Sequence, residues 1–285
     1  MTISILIPTH DYACYQLVSE LHTQAERIGV SYEIILAEDG SRDSVSMIAN
    51  LKVKELSNCR YIRLKDNVGR AAIRNFLIRE SKGDMLLFLD SDGKIISTNF
   101  LRDYLEAGKS HPVVCGGIKH PDVCLDPNRQ LRWRYEKCYE SRHGMVSGQF
   151  RSFSFLISRK VAELISFDER YNNYGYEDVK FGDDMRAHGY EVFAIDNPVL
   201  NKDIEENDVF LRKTEIAVTN AYKFRDELRE SVTLIRFHEK YKVIMPVVRI
   251  VFKSTRSLMR KNLTGSNPSL FLFSFYKLGY YSTLA

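Results

Sequence analysis

Four short apolar runs, each closed by polar residues and separated by three helix-like stretches, constrain this chain more than any other feature. They are Ile3-Ser4-Ile5-Leu6-Ile7-Pro8, Tyr32-Glu33-Ile34-Ile35-Leu36-Ala37, Arg60-Tyr61-Ile62-Arg63-Leu64 and Met85-Leu86-Leu87-Phe88-Leu89. Their length is that of strands, and their near-continuous Ile and Leu is the pattern of strands covered on both faces. Between them, Leu17, Val18, Leu21, Ala25 and Ile28 have helical spacing, and Gly29 follows as a C-cap. A second helix is expected to start at Ser41 to Ser44, and a third follows Gly69 through Ile73, Phe76, Leu77 and Ile78. Strand–helix alternation predicts an α/β fold with a mainly parallel central sheet, flanked by helices and joined by right-handed crossovers. Beyond Phe100 the pattern loosens. Strands are expected at 113–117, 152–157 and 190–195, helices at 160–165 and 179–188, and one long helical segment at 206–229 before a basic helical segment.

In open α/β sheets ligands bind beyond the carboxyl ends of the strands. The polar clusters Pro8-Thr9-His10-Asp11, Glu38-Asp39, Asn67 and Asp90-Ser91-Asp92 all fall there. No G-x-G-x-x-G follows the first strand and no P-loop is present, so neither a dinucleotide site nor a Walker site is expected. A bound nucleotide would need its diphosphate neutralised in another way. Asp90 and Asp92 repel one another and are costly to desolvate together, a conflict that a hard divalent cation removes. Read structurally, the same tripeptide is a solvated turn capping a helix. Asp39 suits a ribose hydroxyl or a base N–H, or else a helix N-cap. Arg70, Arg74 and Asn75 open a helix after Gly69, a favourable place for an anion or simply a charged outer face. Phe167-Asp168-Glu169-Arg170 and Tyr174-Gly175-Tyr176-Glu177-Asp178 precede a helix, where acids serve either as stabilising N-terminal charges or as a general base.

With 285 residues, 44% of them hydrophobic and 27% charged, the chain can fold one large α/β domain or two joined ones. Cys14, Cys59, Cys115, Cys124 and Cys138 are odd in number and form no C-x-x-C pair, so reduced thiols in a cytoplasmic protein are expected rather than a zinc knuckle or a disulfide framework. No signal peptide and no spanning apolar stretch is expected either, and the sequon at Asn262-Leu263-Thr264 is read as coincidence. The net charge of +4 is unevenly spread: residues 236–261 carry eight Lys or Arg and one acid, a local +7 against −3 for the rest. These basic residues alternate with Ile244, Val247, Val248, Ile250, Val251, Phe252 and Leu258, and Leu270 to Tyr276 adds a second apolar run. Residues 234–276 therefore read as peripheral membrane contact, the alternative being helices that cover the main domain. No nucleic-acid motif accompanies the charge, and nucleic acid is not expected as a partner.

Taken in order, these residues resemble the family 2 glycosyltransferases, whose nucleotide-sugar-binding fold is called GT-A. The matching pieces are Ile7-Pro8-Thr9-His10-Asp11, Glu38-Asp39-Gly40-Ser41, Asn67-Val68-Gly69 through Arg74-Asn75, Leu89-Asp90-Ser91-Asp92, and Phe167-Asp168-Glu169 through Tyr174-Gly175-Tyr176-Glu177-Asp178. The resemblance implies a GT-A domain over 1–204, its donor half about 1–98 and its acceptor half about 99–204, with a C-terminal helical extension over 205–285. It implies an inverting, hexosyltransferase-type enzyme of bacterial surface-polysaccharide synthesis. That enzyme moves a sugar from a nucleotide donor, expected to be a UDP-sugar, to a hydroxyl of a glycan or lipid-linked glycan. Pro8, Thr9 and Asp39 would hold base and ribose, and Asn67, Gly69 and Arg70 would lie near base and diphosphate. Asp92 would bind Mn²⁺ or Mg²⁺ with Asp90, and Asp90 and Ser91 would also meet the donor. Asp178 would be the general base, Glu177 would position the acceptor, and Tyr174, Gly175 and Trp133 would line the acceptor side, within loops at 115–150. Two departures stand out. His10-Asp11 replaces the usual Tyr-Asn, and Asn201 stands where the family often has a metal-binding His, a weaker and neutral oxygen donor. Two alternatives follow: sugar transfer to polyprenyl phosphate, disfavoured by Glu177-Asp178, and a nucleotide-sugar-binding protein with little turnover, motivated by Asn201. The expected location is the cytoplasm, at the inner face of the cell membrane.

Overall fold

The computed structural model describes residues 1–140 and 148–285. β1 (Thr2–Thr9) leads into α1 (Tyr15–Ile28), β2 (Ser31–Glu38), α2 (Ser44–Leu51), β3 (Cys59–Arg63), α3 (Arg70–Glu80) and β4 (Met85–Leu89). These are the expected βαβ units, and Gly29 adopts the left-handed C-cap at φ 71°. α2 starts two residues after Gly-Ser because Asp43 is its cap, accepting from the N–H groups of Val45 and Ser46. After β4 come β5 (Gly93–Ile95), α4 (Phe100–Gly108), β6 (Val113–Cys115), β7 (Ile118–Lys119), α5 (Gln130–Tyr135), β8 (Ser154–Ser158), α6 (Arg159–Leu164), α7 (Glu177–Ala187), β9 (Phe193–Ala194) and β10 (Val199–Asn201).

The main sheet runs β3-β2-β1-β4-β8-β6-β9. Its first four strands are parallel, and β8 enters antiparallel to both β4 and β6. Side chains alternate across it. Ile3, Ile5, Ile7, Ile34, Leu36 and Leu87 pack with Val18, Leu21, Phe100 and Tyr104 on one face. Leu6, Ile35, Ala37, Leu86 and Phe88 pack with Ile73, Leu77, Phe167 and Phe181 on the other. Each fully buried aliphatic contributes about 1.5–3 kcal/mol, so this two-sided core holds the polar ends of β1, β2 and β4 in fixed relation.

A second sheet, β5-β10-β7, lies beyond β4. Its antiparallel register sets Asn201 directly across from Gly93, the residue after Asp92. This overturns the helix-capping reading of Asp90-Ser91-Asp92, because a strand follows the turn.

Two further expectations change. The strand at 190–195 is reduced to β9, a two-residue edge strand paired only with β6. The long helix at 206–229 breaks at Phe224, separating α8 (Asn207–Lys223) from α9 (Arg225–Leu228). Phe224 has left helical geometry at φ −107°, ψ 26° and stacks its buried ring on Tyr171, 4.0 Å between centroids. The chain continues through α10 (Thr233–Lys240), α11 (Met245–Leu263) and α12 (Leu270–Leu284). Phe252, Met259 and Leu263 of α11 share a core with Phe273 and Tyr276 of α12, Phe210 and Leu211 of α8 and Leu131 of α5. Gly279 is required there: a Cβ would lie 2.5 Å from the Phe252 ring. Much of the apolar run at 270–276 therefore faces inward, the outcome of the covering-helix alternative. Among the described residues no helix is long and apolar enough to cross a membrane.

Candidate active site

β4 is a central strand, so the turn that follows it opens at the middle of the sheet edge. Asp90, Ser91 and Asp92 make that turn; the Asp90 N–H donates to the Phe153 carbonyl at 2.9 Å and the Gly93 N–H to the Asp90 carbonyl at 3.2 Å. Arg74, in the first half of α3 and 2% exposed, donates to Asp90 Oδ1 at 3.0 Å, to Ser152 Oγ at 3.3 Å and to Glu177 Oε1 at 3.4 Å. Asp90 is thus charge-paired. Asp92 has no ion pair among the described residues, and burial together with the Asp90 charge pushes its carboxyl up to about 6. Asn75, one residue after Arg74, pins α3 to the far segment by donating to the Phe167 carbonyl at 2.8 Å and accepting from its N–H at 2.9 Å.

The β2 end uses two adjacent acids in opposite ways. Glu38 points into the interior and accepts from Asn50, Tyr61 and Ser41, anchoring α2. Asp39 points to the cleft and accepts from the N–H groups of Val68 at 2.7 Å and Gly69 at 3.2 Å, bracing the loop that opens α3. Gly40 lies at φ 63°, and a Cβ on it would fall 2.2 Å from the Asn67 nitrogen, so only glycine lets these loops meet.

At the entry to α7 the backbone takes two left-handed residues in succession, Gly175 at φ 101° and Tyr176 at φ 72°. The turn delivers Glu177 and Asp178 as the first helical residues, where the helix dipole favours acids. Glu177 is buried and paired with Arg74, with Arg70 at 3.8 Å. Asp178 makes no ion pair among the described residues. Burial, then the Glu177 charge, push it up to about 6 against the opposing pull of Arg151 and Arg74.

Two cavities meet at this place. One is lined by Pro8, Thr9, Asp39, Asn67, Gly69 and Ser91, the other by Arg132, Arg151, Asp178 and Asn201. Arg70, Asp90, Asp92, Tyr174, Asp203 and Glu205 belong to both walls. Most of the residues singled out in the sequence therefore converge. Of the residues to which the resemblance gives a site role, Glu177, Gly175 and Trp133 line neither cavity. Glu177 lies behind, paired with the arginines. Gly175 packs against α8, where a Cβ would come 2.8 Å from that of Ala217, and its carbonyl accepts from Asn220 at 2.7 Å. Trp133 donates its indole N–H to the Pro121 carbonyl at 2.8 Å, and its neighbour Arg132 is the one on the cavity wall. Of the loop segment 115–150, residues 141–147 lie outside the described residues.

Glu136 is a site residue that sequence reading missed. Fully buried, it accepts from Arg132, one helical turn earlier, and from Asn201 Nδ2 at 3.2 Å, with His120 Nδ1 at 2.5 Å from its other oxygen. The i,i+4 spacing of Arg132 and Glu136 was the available signal. A carboxylate accepts only, so it fixes which end of the Asn201 amide it meets. Asn201 Oδ1 is left buried without a hydrogen-bond partner among the described residues. Among those residues no three His, Cys, Asp or Glu side chains group as a metal cage. A cation held here would rest on Asp92 and Asp90, and Asn201 lines the same cavity as these two aspartates.

A glycosyl transferase family 2 model matches residues 4–166, more than half of the chain and all four parallel strands. The chain belongs to glycosyl transferase family 2. This glycosyltransferase is 26% identical over 182 residues to an uncharacterized glycosyltransferase of Haemophilus influenzae, covering 63% of this chain and 69% of that one. It is 31% identical over 219 residues to the chondroitin synthase of Escherichia coli, covering 63% of this chain but only 31% of the synthase. In fold it resembles TarS 1–349 of S. aureus, solved with UDP-GlcNAc, at 16% identity and TM-score 0.53, covering 100% of this chain and 90% of the other. It also resembles the mannosyltransferase PcManGT of Pyrobaculum calidifontis, solved with GDP-Man and Mn²⁺, at 12% identity and TM-score 0.57, covering 99% and 84%. The fold expected from the sequence, GT-A with a mostly parallel sheet between helices, is the fold observed, and the enzyme class is that of the hexosyltransferases.

Proposed function

We propose that this glycosyltransferase transfers a sugar with inversion from a nucleotide donor to a hydroxyl of a glycan or lipid-linked glycan. The supporting observation is the meeting of two cavities at Asp90 and Asp92, with Asp178 on the wall of the second. The donor lies in the first cavity. Pro8, Thr9, Asp39 and Asn67 face its base and ribose, and Gly69, Arg70, Asp90 and Ser91 face ribose and diphosphate. Asp92, Asp90 and the Asn201 oxygen would hold Mn²⁺ or Mg²⁺, which when bound neutralises the departing diphosphate.

The acceptor enters the second cavity beside Tyr174. Asp178 takes the proton of its hydroxyl. The acceptor oxygen bonds to the anomeric carbon from the face opposite the diphosphate as the bond to the diphosphate oxygen breaks. Burial and the charge of Glu177, which is held by Arg74, raise the proton affinity of Asp178 toward the working range of a base. Residues 1–204 form the catalytic unit on this reading, with donor and acceptor halves meeting near residue 98, and 205–285 form the helical extension. On the same reading residues 234–276 make the membrane contact, and the enzyme works at the cytoplasmic face on a lipid-linked acceptor.

The experiment is UDP release from a panel of UDP-sugars with Mn²⁺, beginning with UDP-GlcNAc, the donor seen in TarS. Release with a glycan acceptor, and its loss in Asp178→Asn, is the expected result. A donor that binds without being consumed by any acceptor favours instead the binding-protein reading that Asn201 motivates.

A further inference from the structure

α11 has two apolar sides. Met245, Phe252, Met259 and Leu263 are buried against the neighbouring helices. Val247, Ile250, Val251 and Leu258, at helical spacing on the other side, are exposed, Ile250 at 68% and Leu258 at 70%. The apolar surface continues into the turn before α11, where Val243 is 85% and Ile244 51% exposed, and onto α10 through Phe237 and Tyr241, whose rings lie 4.6 Å apart. Scattered single apolar residues on a surface need no explanation, but a contiguous run of this kind marks an interface.

The charge on the same surface selects the occupant. From Lys240 to Leu263 the sequence contains seven Lys or Arg and no acid. Arg256 and Arg260 are paired inward with Glu215. Lys242, Lys253 and Lys261 are exposed and make no ion pair among the described residues. Exposed aliphatics with two aromatic rings, flanked by lysines and with Glu239 as the segment's single acid, itself paired with Arg229, are complementary to the headgroup region of an anionic bilayer. A second copy of this chain docked face to face would bring the lysines against their own kind. The run at 270–276 contributes little, since Phe273 and Tyr276 are core and Phe271 is the strongly exposed aromatic, at 84%.

We propose that the surface formed by Phe237, Tyr241, Val243, Ile244 and the Val247–Ile250–Leu258 side of α11 lies in the interface of an anionic membrane, with Lys242, Lys253 and Lys261 at the phosphate level. This deepens the membrane part of the proposed function and narrows 234–276 to one helix side and the turn before it. It is read without turnover, so it stands or falls separately from sugar transfer.

The test is co-sedimentation of the full chain with vesicles of phosphatidylcholine alone and of phosphatidylcholine mixed with phosphatidylglycerol. Binding to the mixed vesicles that declines as salt rises is expected, with little binding to the neutral ones. Val247→Asp with Ile250→Asp, and separately Lys242→Ser with Lys253→Ser and Lys261→Ser, should each weaken partitioning at least tenfold, with circular dichroism unchanged. UDP release with a water-soluble acceptor should be unaffected in both variants. Equal binding by the variants, no binding by the wild type, or a concentration-dependent dimer that the aspartates abolish while vesicles are ignored would each overturn the proposal.

Discussion

Arg74 donates to Asp90 at 3.0 Å while the same guanidinium reaches Glu177 at 3.4 Å, so one buried cation joins the turn after β4 to the first residue of α7. Asp90 lies on the wall that the two cavities share, and Glu177 lies behind the cavity that its neighbour Asp178 lines. Their partners, Asp92 and Asp178, are left without such compensation, and both have raised proton affinity. A single arginine thus ion-pairs two of the four carboxylates and leaves the other two without an ion pair among the described residues.

Arg74→Leu should destabilise the fold by about 3–5 kcal/mol, because it strands buried acids without a counter-charge. Urea denaturation followed by circular dichroism measures this. A change below about 1 kcal/mol would mean that water already screens the cluster.

Asp178→Asn should lower kcat by a factor on the order of 10²–10⁴, the range for losing a general base, with donor affinity unchanged. In the wild type, kcat/KM should fall as pH drops through about 6, since burial and Glu177 raise the Asp178 carboxyl and only its ionised form accepts a proton. The sign is that of a required base: activity is present above the pKa and lost below it. Arg151 and Arg74 act in the opposite direction, so Arg151→Gln should move the midpoint upward. A profile flat from pH 5 to pH 8 in wild type and variant alike would remove Asp178 from the role.

Asn201→Ala should weaken Mn²⁺-dependent binding of UDP about tenfold, the scale of a lost ligand or its support. Isothermal titration with and without Mn²⁺ separates this from damage to the nucleotide pocket. Asn201→His, which can still donate to Glu136, should tighten the Mn²⁺-dependent part. If neither substitution moves it, the unpartnered oxygen of Asn201 is not a ligand.

Gly40→Ala should abolish donor binding and cost at least about 1–3 kcal/mol, the scale of a forced left-handed residue, because a methyl 2.2 Å from the Asn67 nitrogen must displace the 67–69 loop. Gly29→Ala serves as the comparison. It carries similar positive-φ strain at 71° but has open space around it, so it should lose stability without losing donor binding.

What the sequence determined by itself was the local and the periodic. Apolar runs of strand length separated by 3.6-spaced stretches specify βαβ units, and the four parallel strands with the three helices between them were legible in that way, whereas β5 and α4 after β4 were not. The polar strand ends were legible for the same reason, since an open parallel sheet leaves its carboxyl edge as the place for a ligand. α2 started where its own residue Asp43 could cap it. Tertiary structure decided whatever depended on contacts between distant segments. The helix over 206–229 broke because burying Phe224 on Tyr171 outweighed helical propensity, a term invisible in the local sequence. Glu38 and Asp39 looked alike as neighbouring acids, yet the alternation of a strand sends one into the core and the other to the cleft. Position alone marks Asn201 as a weaker, neutral oxygen donor where the family often has a metal-binding His. Only the tertiary structure sets Asn201 across from Gly93 in the β5–β10 register, turns its amide N–H to Glu136, and leaves its oxygen without a hydrogen-bond partner among the described residues. Such pairings join residues that lie 65 or more positions apart, and no period in a linear sequence encodes them.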